Sequence, residues 1–350
     1  MALADIRRDD RRATAQRLGF ERSVRVIEQF EPSLGREFAR VTEIVLRDCA
    51  QSGRQDIAWS GGLLNRNGAP LELSFSTLSD DVRYTVEVGG PETPPELRLA
   101  RVDSLLEELG LDPRWGGTPR RFPELQSAGR VEWGAWLGVR HARAISSRPA
   151  TTFKIYAETP AATNPAASWL VSEYLGGAPV LPEGAAELAL VGGAPESDRC
   201  EFYFELSWRK PALSTLNRLL ARAGLEASQD ELVDLVRSFQ FRREGAADTL
   251  PDAQYGFSYS LLPGGRDPVF SIFVFAADLA AGDGFVRRQV LASTVGRGWT
   301  LGCYAALTEP LAQRYFHSAF HNMLTFSVGR DPNPGLQVSV SPPPEFIHDD

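Results

Sequence analysis

Two kinds of hydrophobic pattern alternate along the chain. Runs with period-two alternation, rich in β-branched and aromatic residues, predict strands, and segments with apolar residues three and four apart predict helices. The strand patterns come in pairs: Pro70–Ser76 with Val82–Gly89, Val131–His141 with Thr151–Glu158, Ala186–Gly192 with Arg199–Ser207, Tyr255–Leu262 with Val269–Ala276, and Asn322–Gly329 with Gly335–Ser341. Short turn-like links such as LSDD, PGGRDP and RDPNP join the members of a pair. VGGAP and PGGRDP read as such turns and not as phosphate loops, because neither stands between a strand and a helix. A further strand-like segment, Ile57–Leu63, leads into a turn at Asn65–Asn67–Gly68.

Between the pairs the helical patterns are Leu97–Leu109, Asn164–Leu175, Pro211–Ala223, Ser228–Phe241, Phe285–Val295 and Pro310–Phe320. Two more, Ser23–Phe30 and Leu34–Cys49, precede the first strands. Pro165 at a first helical position and Gly176 beyond the last turn bound one helix, and Ser228 with Glu231 has the spacing of a capping box. The alternation predicts an α+β fold: a ten-stranded antiparallel β-barrel surrounded by helices, built from five αββα repeats. No Pro/Gly/Ser-rich linker divides the chain, so residues 1–341 are expected to form one barrel domain and 342–350 a loose tail.

Composition narrows the function classes. The 350 residues are 43% hydrophobic, enough for a large core, and the formal net charge of -8 excludes a general nucleic-acid binder. No apolar run has the length of a transmembrane helix, and the N-terminal stretch lacks the apolar core of a secretory signal. Cys49, Cys200 and Cys303 are too scattered for a disulfide framework or a CxxC metal site, which suits a reducing cytoplasm. His317 and His321 have i,i+4 spacing but no HExxH glutamate, so zinc is disfavoured. Arg7–Arg12 reads as a solvated charge run.

The same alternation sorts strand residues by face. Glu72, Ser74 and Ser76 oppose Leu71, Leu73 and Phe75; Arg83, Thr85 and Glu87 oppose Val82, Tyr84, Val86 and Val88. Lys154, Tyr156 and Glu158 share a face, as do Arg199, Glu201, Tyr203, Glu205 and Ser207, and Gln337, Ser339 and Ser341. Helices between every strand pair need the apolar faces, so the polar faces are expected to line a lumen too wide for side chains to fill. Alternation also puts Trp133 and Trp136 on opposite faces, with Trp59 open to either the lumen or the helix layer.

Several segments resemble the aromatic prenyltransferases of the αββα barrel, specifically the dimethylallyltryptophan synthase type. LLNRNGAPLELSFSTLSDDVRYTVEVGG resembles that family's first-repeat segment, EWGAWLGV and FKIYAETP its second-repeat strands, and DRCEFYFEL its third. The resemblance implies metal-independent transfer of an allylic group, dimethylallyl or longer, from its diphosphate to an indole or other aromatic small molecule, without a cofactor. It implies Glu72 as the carboxylate that holds the indole N–H. It implies Arg83, Lys154, Tyr156, Arg199 and Tyr203 as the diphosphate-binding and shielding groups. Glu87, Glu201, Glu205, Phe273 and Ser339 are expected to line the substrate space. Departures accompany the matches: Glu201 stands where the family's strand carries lysine, Ser271 and Phe273 where polar or tyrosyl contacts are usual, and Ser339 where a shielding tyrosine is usual. Two other readings stay open: acid–base cyclisation or rearrangement by Glu72, Glu87, Glu201 and Glu205, and a non-catalytic binding barrel.

Overall fold

The computed structural model describes residues 3–51, 62–111, 118–143, 150–160, 164–177, 185–241, 248–317, 319–331 and 333–345. Ten strands close into a barrel in which every neighbouring pair is antiparallel: β1 (Leu71–Ser76), β2 (Ser79–Glu87), β3 (Ala135–Ala142), β4 (Ala150–Glu158), β5 (Ala186–Gly193), β6 (Cys200–Leu206), β7 (Tyr255–Leu262), β8 (Arg266–Phe275), β9 (His321–Val328) and β10 (Gly335–Val340). Strands follow one another in chain order, and β1 pairs with β10 to complete the ring, so no sheet edge is left open. The five short hairpins lie at one mouth of the barrel; the helical connections enter at the other.

The helices are α1 (Leu3–Phe30), α2 (Pro32–Val45), α3 (Arg47–Gln51), α4 (Arg98–Glu108), α5 (Phe122–Gln126), α6 (Pro165–Leu175), α7 (Leu213–Arg222), α8 (Gln229–Ser238), α9 (Ala276–Leu279), α10 (Asp283–Arg297) and α11 (Tyr304–Leu307). The core lies between barrel and helices, not inside the barrel. Leu71, Leu73, Val86, Leu137, Ile155, Phe202, Phe257, Ile272, Phe326 and Val338 from the strands join Phe38, Val102, Leu220, Val236 and Val290 from the helices in one buried cluster. Each such side chain contributes roughly 1.5–3 kcal/mol on burial. That demand turns the opposite, polar face of every strand inward. Among the described residues no helix is long and apolar enough to cross a membrane.

Local chemistry explains the ends. Asn164 caps α6, its side chain accepting from Ala166 N and Ala167 N at 3.1 Å each, and Gly176 closes it with φ 66°. The capping box at Ser228 does not form. A 3-10 turn over Glu226–Ser228 gives Ser228 near-helical dihedrals (φ -91°, ψ 3°), and its hydroxyl makes no cap bond.

The helix expected over Pro310–Phe320 is replaced by a 3-10 turn at Glu309–Leu311 and further turns. The carbonyls of Arg314 and His317 accept instead from Gly284 N and Asp283 N, the free amides that open α10. In return the Asp283 carboxylate accepts from the amides of Ala319, Phe320 and His321. His317 and His321 therefore share no helical face. His321 starts β9, with Nδ1 2.9 Å from Asp283 Oδ1 and Nε2 2.8 Å from the Tyr304 hydroxyl.

Other boundaries shift less. Arg7–Arg12 lies within α1. Residues 57–61 of the strand-like Ile57–Leu63 segment, Trp59 among them, lie outside the described residues. The first part of the expected loose tail is packed: Pro342, Pro343 and Pro344 are buried, and Arg22 Nη1 reaches Pro343 O at 3.4 Å. Residues 346–350 lie outside the described residues.

Candidate active site

Toward the hairpin mouth stand Arg83 on β2, Arg140 on β3, Lys154 on β4 and Arg199 just before β6; at the opposite ends of their strands stand Glu72, Glu87, Glu158 and Glu205.

Each cation at the hairpin mouth already has an acidic partner. Lys154 Nζ donates to the Glu201 carboxylate and, at 3.0 Å, to the Tyr203 hydroxyl, and lies 4.9 Å and 5.3 Å from the ring centres of Tyr156 and Tyr203. Ser258 Oγ donates to the other oxygen of Glu201 at 2.7 Å. Burial opposes both charges, but the pair outweighs it: Lys154 is held above the ordinary lysine value and Glu201 below the ordinary carboxylate value. Arg199 does not pair with Glu201. Its guanidinium binds the Asp267 carboxylate and the carbonyls of Ser260 and Asp267, both at 3.1 Å. Arg83 donates to Ser79 Oγ at 2.9 Å and reaches Asp81 at 3.5 Å, and Arg140 bonds the same Asp81 at 2.6 Å. Burial, with the like charge of Arg140, lowers the Arg83 pKa.

An aromatic arc crosses the middle of the lumen. Tyr156, Tyr203 and Phe273 come from β4, β6 and β8, with successive ring centres 6.0 Å apart. The strands that flank them supply glycine where these side chains lie. A Cβ at Gly192 would sit 2.6 Å from Lys154 Cε, one at Gly138 2.9 Å from Tyr156 Cε2, and one at Gly256 2.2 Å from Phe273 Cε2. Trp136 extends the arc on β3, directly opposite Tyr156. Trp133 stacks on it, centres 3.9 Å apart, so the two tryptophans do not take opposite sides. The strand pattern stops at Gly134, whose φ of 74° and 1.9 Å clearance to Pro95 O allow no side chain, and period-two alternation does not pass through it.

At the far end the carboxylates divide into two groups. Glu87 forms a buried ion pair with Arg98 at 2.5 Å and accepts from Leu63 N at 2.8 Å. Glu158 accepts from the amides of Glu132, Trp133 and Gly134 at 2.7–3.0 Å. Both hold loops, so Glu87 lines the lumen without a free oxygen to offer a ligand in this arrangement. Glu205 is exposed, facing Glu187 across the β5–β6 ladder. Glu72 is buried, and desolvation raises its pKa to about 7, with Asn322 and Ser339 hydrogen bonds acting the other way. Ser339 also lies 3.2 Å from Ser74 Oγ.

Alternation therefore located Glu72, Arg83, Lys154, Tyr156, Glu201, Tyr203 and Ser339 in one lumen, with Arg199 at its rim; Phe273, named through the resemblance and not by alternation, joins them. Alternation did not find Asn322, and it was not carried along β3 to Arg140, whose face follows from Gly138 by simple counting. The groups present are cations and hydroxyls for an anionic leaving group, aromatic rings for a cation, and a carboxylate poised near neutrality for a proton. Among the described residues no cluster of three or more metal-ligating side chains occurs.

No protein-family model matches the chain, and no curated protein matches it by sequence. Solved structures do. 5-Dimethylallyl tryptophan synthase from Streptomyces coelicolor, in complex with DMASPP and Trp, superposes with a TM-score of 0.73 at 15% identity over 97% of both chains. The apo form of the prenyltransferase PriB gives 0.70 at 16% identity over 94% of this chain and 99% of that one. The fold is that of the aromatic prenyltransferase barrel. 6-Dimethylallyltryptophan synthase from Micromonospora olivasterospora, also in complex with DMASPP and Trp, gives 0.70 at 16% over 97% and 99%. The prenyltransferase barrel thus spans nearly the whole chain, in agreement with the repeat count and strand order read from the sequence.

Proposed function

We propose that this prenyltransferase barrel transfers an allylic group from its diphosphate to an electron-rich aromatic small molecule of the indole class, as a single αββα barrel domain acting without a metal cofactor. The observation that carries the reading is the order of groups along the lumen: the carboxylate-paired cations Arg83, Arg140, Lys154 and Arg199 toward one end, Glu72 toward the other, and Tyr156, Tyr203 and Phe273 between. Breaking the allylic C–O bond leaves the bonding pair on the diphosphate, where the cations and the Tyr156 and Tyr203 hydroxyls stabilise the growing charge. The aromatic faces shelter the allyl cation from water and from side-chain nucleophiles. The arene attacks that cation, forming the C–C bond, while Glu72 accepts the N–H hydrogen bond of the indole as positive charge develops on the ring; the arenium ion then gives its ring C–H proton to the released diphosphate, and the C–H bonding pair restores aromaticity.

Calorimetric titration with dimethylallyl thiodiphosphate, with and without tryptophan, tests this reading. Micromolar binding that Arg83→Ala removes supports it; absence of binding at millimolar dimethylallyl and geranyl analogues refutes it.

One observation favours a second reading. Glu201 occupies the cation end and neutralises Lys154, as an acid–base site acting on a preformed substrate would have it. In that case Glu201→Lys abolishes turnover, whereas in a diphosphate site it strengthens donor binding.

A further inference from the structure

Strict alternation puts Asn322 on the wrong face of β9. Leu324, Phe326 and Val328 face the helices, so Asn322, two residues before Leu324, should do the same. It does not, because the β9–β10 register slips there: Val338 lies opposite Leu324, but Val340 lies opposite His321, leaving one extra residue on β9. This bulge turns His321 outward to Asp283 and Tyr304 and turns Asn322 into the lumen.

There the Asn322 amide has only one workable orientation. Its Nδ2 donates to Leu64 O at 3.2 Å and to Glu72 Oε2, and the Leu64 carbonyl can only accept, so a flipped amide would set oxygen against oxygen there. The price is visible: Asn322 Oδ1 is buried with no hydrogen-bond partner. The residue is 7% exposed, so water does not compete for its donor.

We propose that Asn322 is a positioning residue: by gripping one oxygen of Glu72 it favours the charged, proton-accepting carboxylate and leaves the other oxygen to the acceptor substrate. The inference rests on the Glu72 role proposed above. Of the other groups facing Glu72, only the Ser339 hydroxyl acts in the same direction, and its effect is smaller than that of Asn322. On β2, Arg83 is held by Ser79 and Asp81, and Glu87 by Arg98. Ser339 on β10 adds a weaker hydrogen bond to the carboxylate, and on the segment that enters β1 the charged side chain, Arg66, pairs with Asp278 at 3.5 Å.

The test uses the full chain labelled with carboxyl-¹³C glutamate, the Glu72 resonance being assigned by its loss in Glu72→Gln. Asn322→Ala is expected to move the Glu72 titration midpoint upward by a unit or more, and the acid limb of the kcat/KM–pH profile with it, with activity recovering at high pH. Asn322→Ser, too short to reach Glu72 but polar enough for the bulge, is expected to do the same and covers the case in which the alanine variant does not fold. An unmoved midpoint in a folded variant overturns the proposal, as does a uniform fall in kcat with no displacement of the limb. If the wild-type chain transfers no allylic group, the proposed function fails, while the carboxyl titration still decides whether Asn322 sets the charge of Glu72.

Discussion

Lys154 and Glu201 meet across β5, each reaching from its own strand over the space that Gly192 leaves free. The carboxylate occupies the place on the ammonium that an anionic ligand needs. Replacing Glu201 with glutamine removes a charge worth a few kcal/mol at about 4 Å in a medium of intermediate dielectric. Glu201→Gln is therefore expected to bind inorganic pyrophosphate about ten- to a hundredfold more tightly than wild type, read by calorimetry. The free protein should be less stable, because Lys154 is left buried without a counter-charge. Weaker pyrophosphate binding in this variant would mean that the carboxylate, and not the lysine, is the ligand-facing group.

Glu72 carries a pH signature in stability as well as in rate. Its folded-state pKa is raised from 4.5 to about 7 by burial, so between these values the folded chain keeps a proton that the unfolded chain releases. The contribution of this group to stability is thus highest below pH 4.5 and falls as pH rises to 7, by about 3 kcal/mol. Glu72→Gln, which cannot ionise, should melt higher than wild type at pH 8 and lose that advantage at pH 4. If Glu72 receives the acceptor's hydrogen bond, the same variant should lose roughly 10²–10⁴-fold in transfer rate.

The sequence was most readable where hydrophobic demand was strongest. Every strand expected from the five pairs is present, because each needs an apolar face for the helices, and this periodicity also fixed which side Glu72, Lys154 and Tyr203 take. What stayed hidden depends on single-residue changes of phase. Gly134 resets the alternation before Trp136, and the bulge at Asn322 reverses two side chains; neither changes the overall pattern of apolar residues. Partner choice was equally unreadable. Glu201 pairs with Lys154 and Arg199 with Asp267, a matter of strand stagger around the ring. The turns over 309–317 are helical by pattern but serve as acceptors for α10.

Glu87 and Arg98 test whether the lumen carboxylates can be divided into structural and functional groups. Both side chains are almost fully buried and 2.5 Å apart. Arg98→Ala leaves Glu87 as an uncompensated buried charge, and the expected loss is about 3–5 kcal/mol in urea denaturation. Adding Glu87→Gln to Arg98→Met should restore much of it, since replacing both members of a buried pair costs far less than removing one. A catalytic Glu87 would instead leave the double variant stable but without turnover.

Gly256 and Phe273 offer a test of the aromatic arc that needs no knowledge of the substrate. The ring of Phe273 lies against Gly256, and a Cβ there would stand 2.2 Å and 2.4 Å from two ring carbons and 2.7 Å from Phe204 O. The ring can swing away, but the carbonyl belongs to the β6–β7 ladder and cannot move without disturbing it. Gly256→Ala should therefore destabilise the fold by about 1–3 kcal/mol, the usual range for an overpacked site. It should also push Phe273 toward Tyr203, narrowing the space between the cation and carboxylate ends. Truncating the ring in Gly256→Ala/Phe273→Ala removes one of the two clashes, so thermal melting should show partial and not full recovery. Full recovery would place the whole strain on the ring. No recovery would place it on the ladder, and Phe273 would then have little part in keeping position 256 glycine.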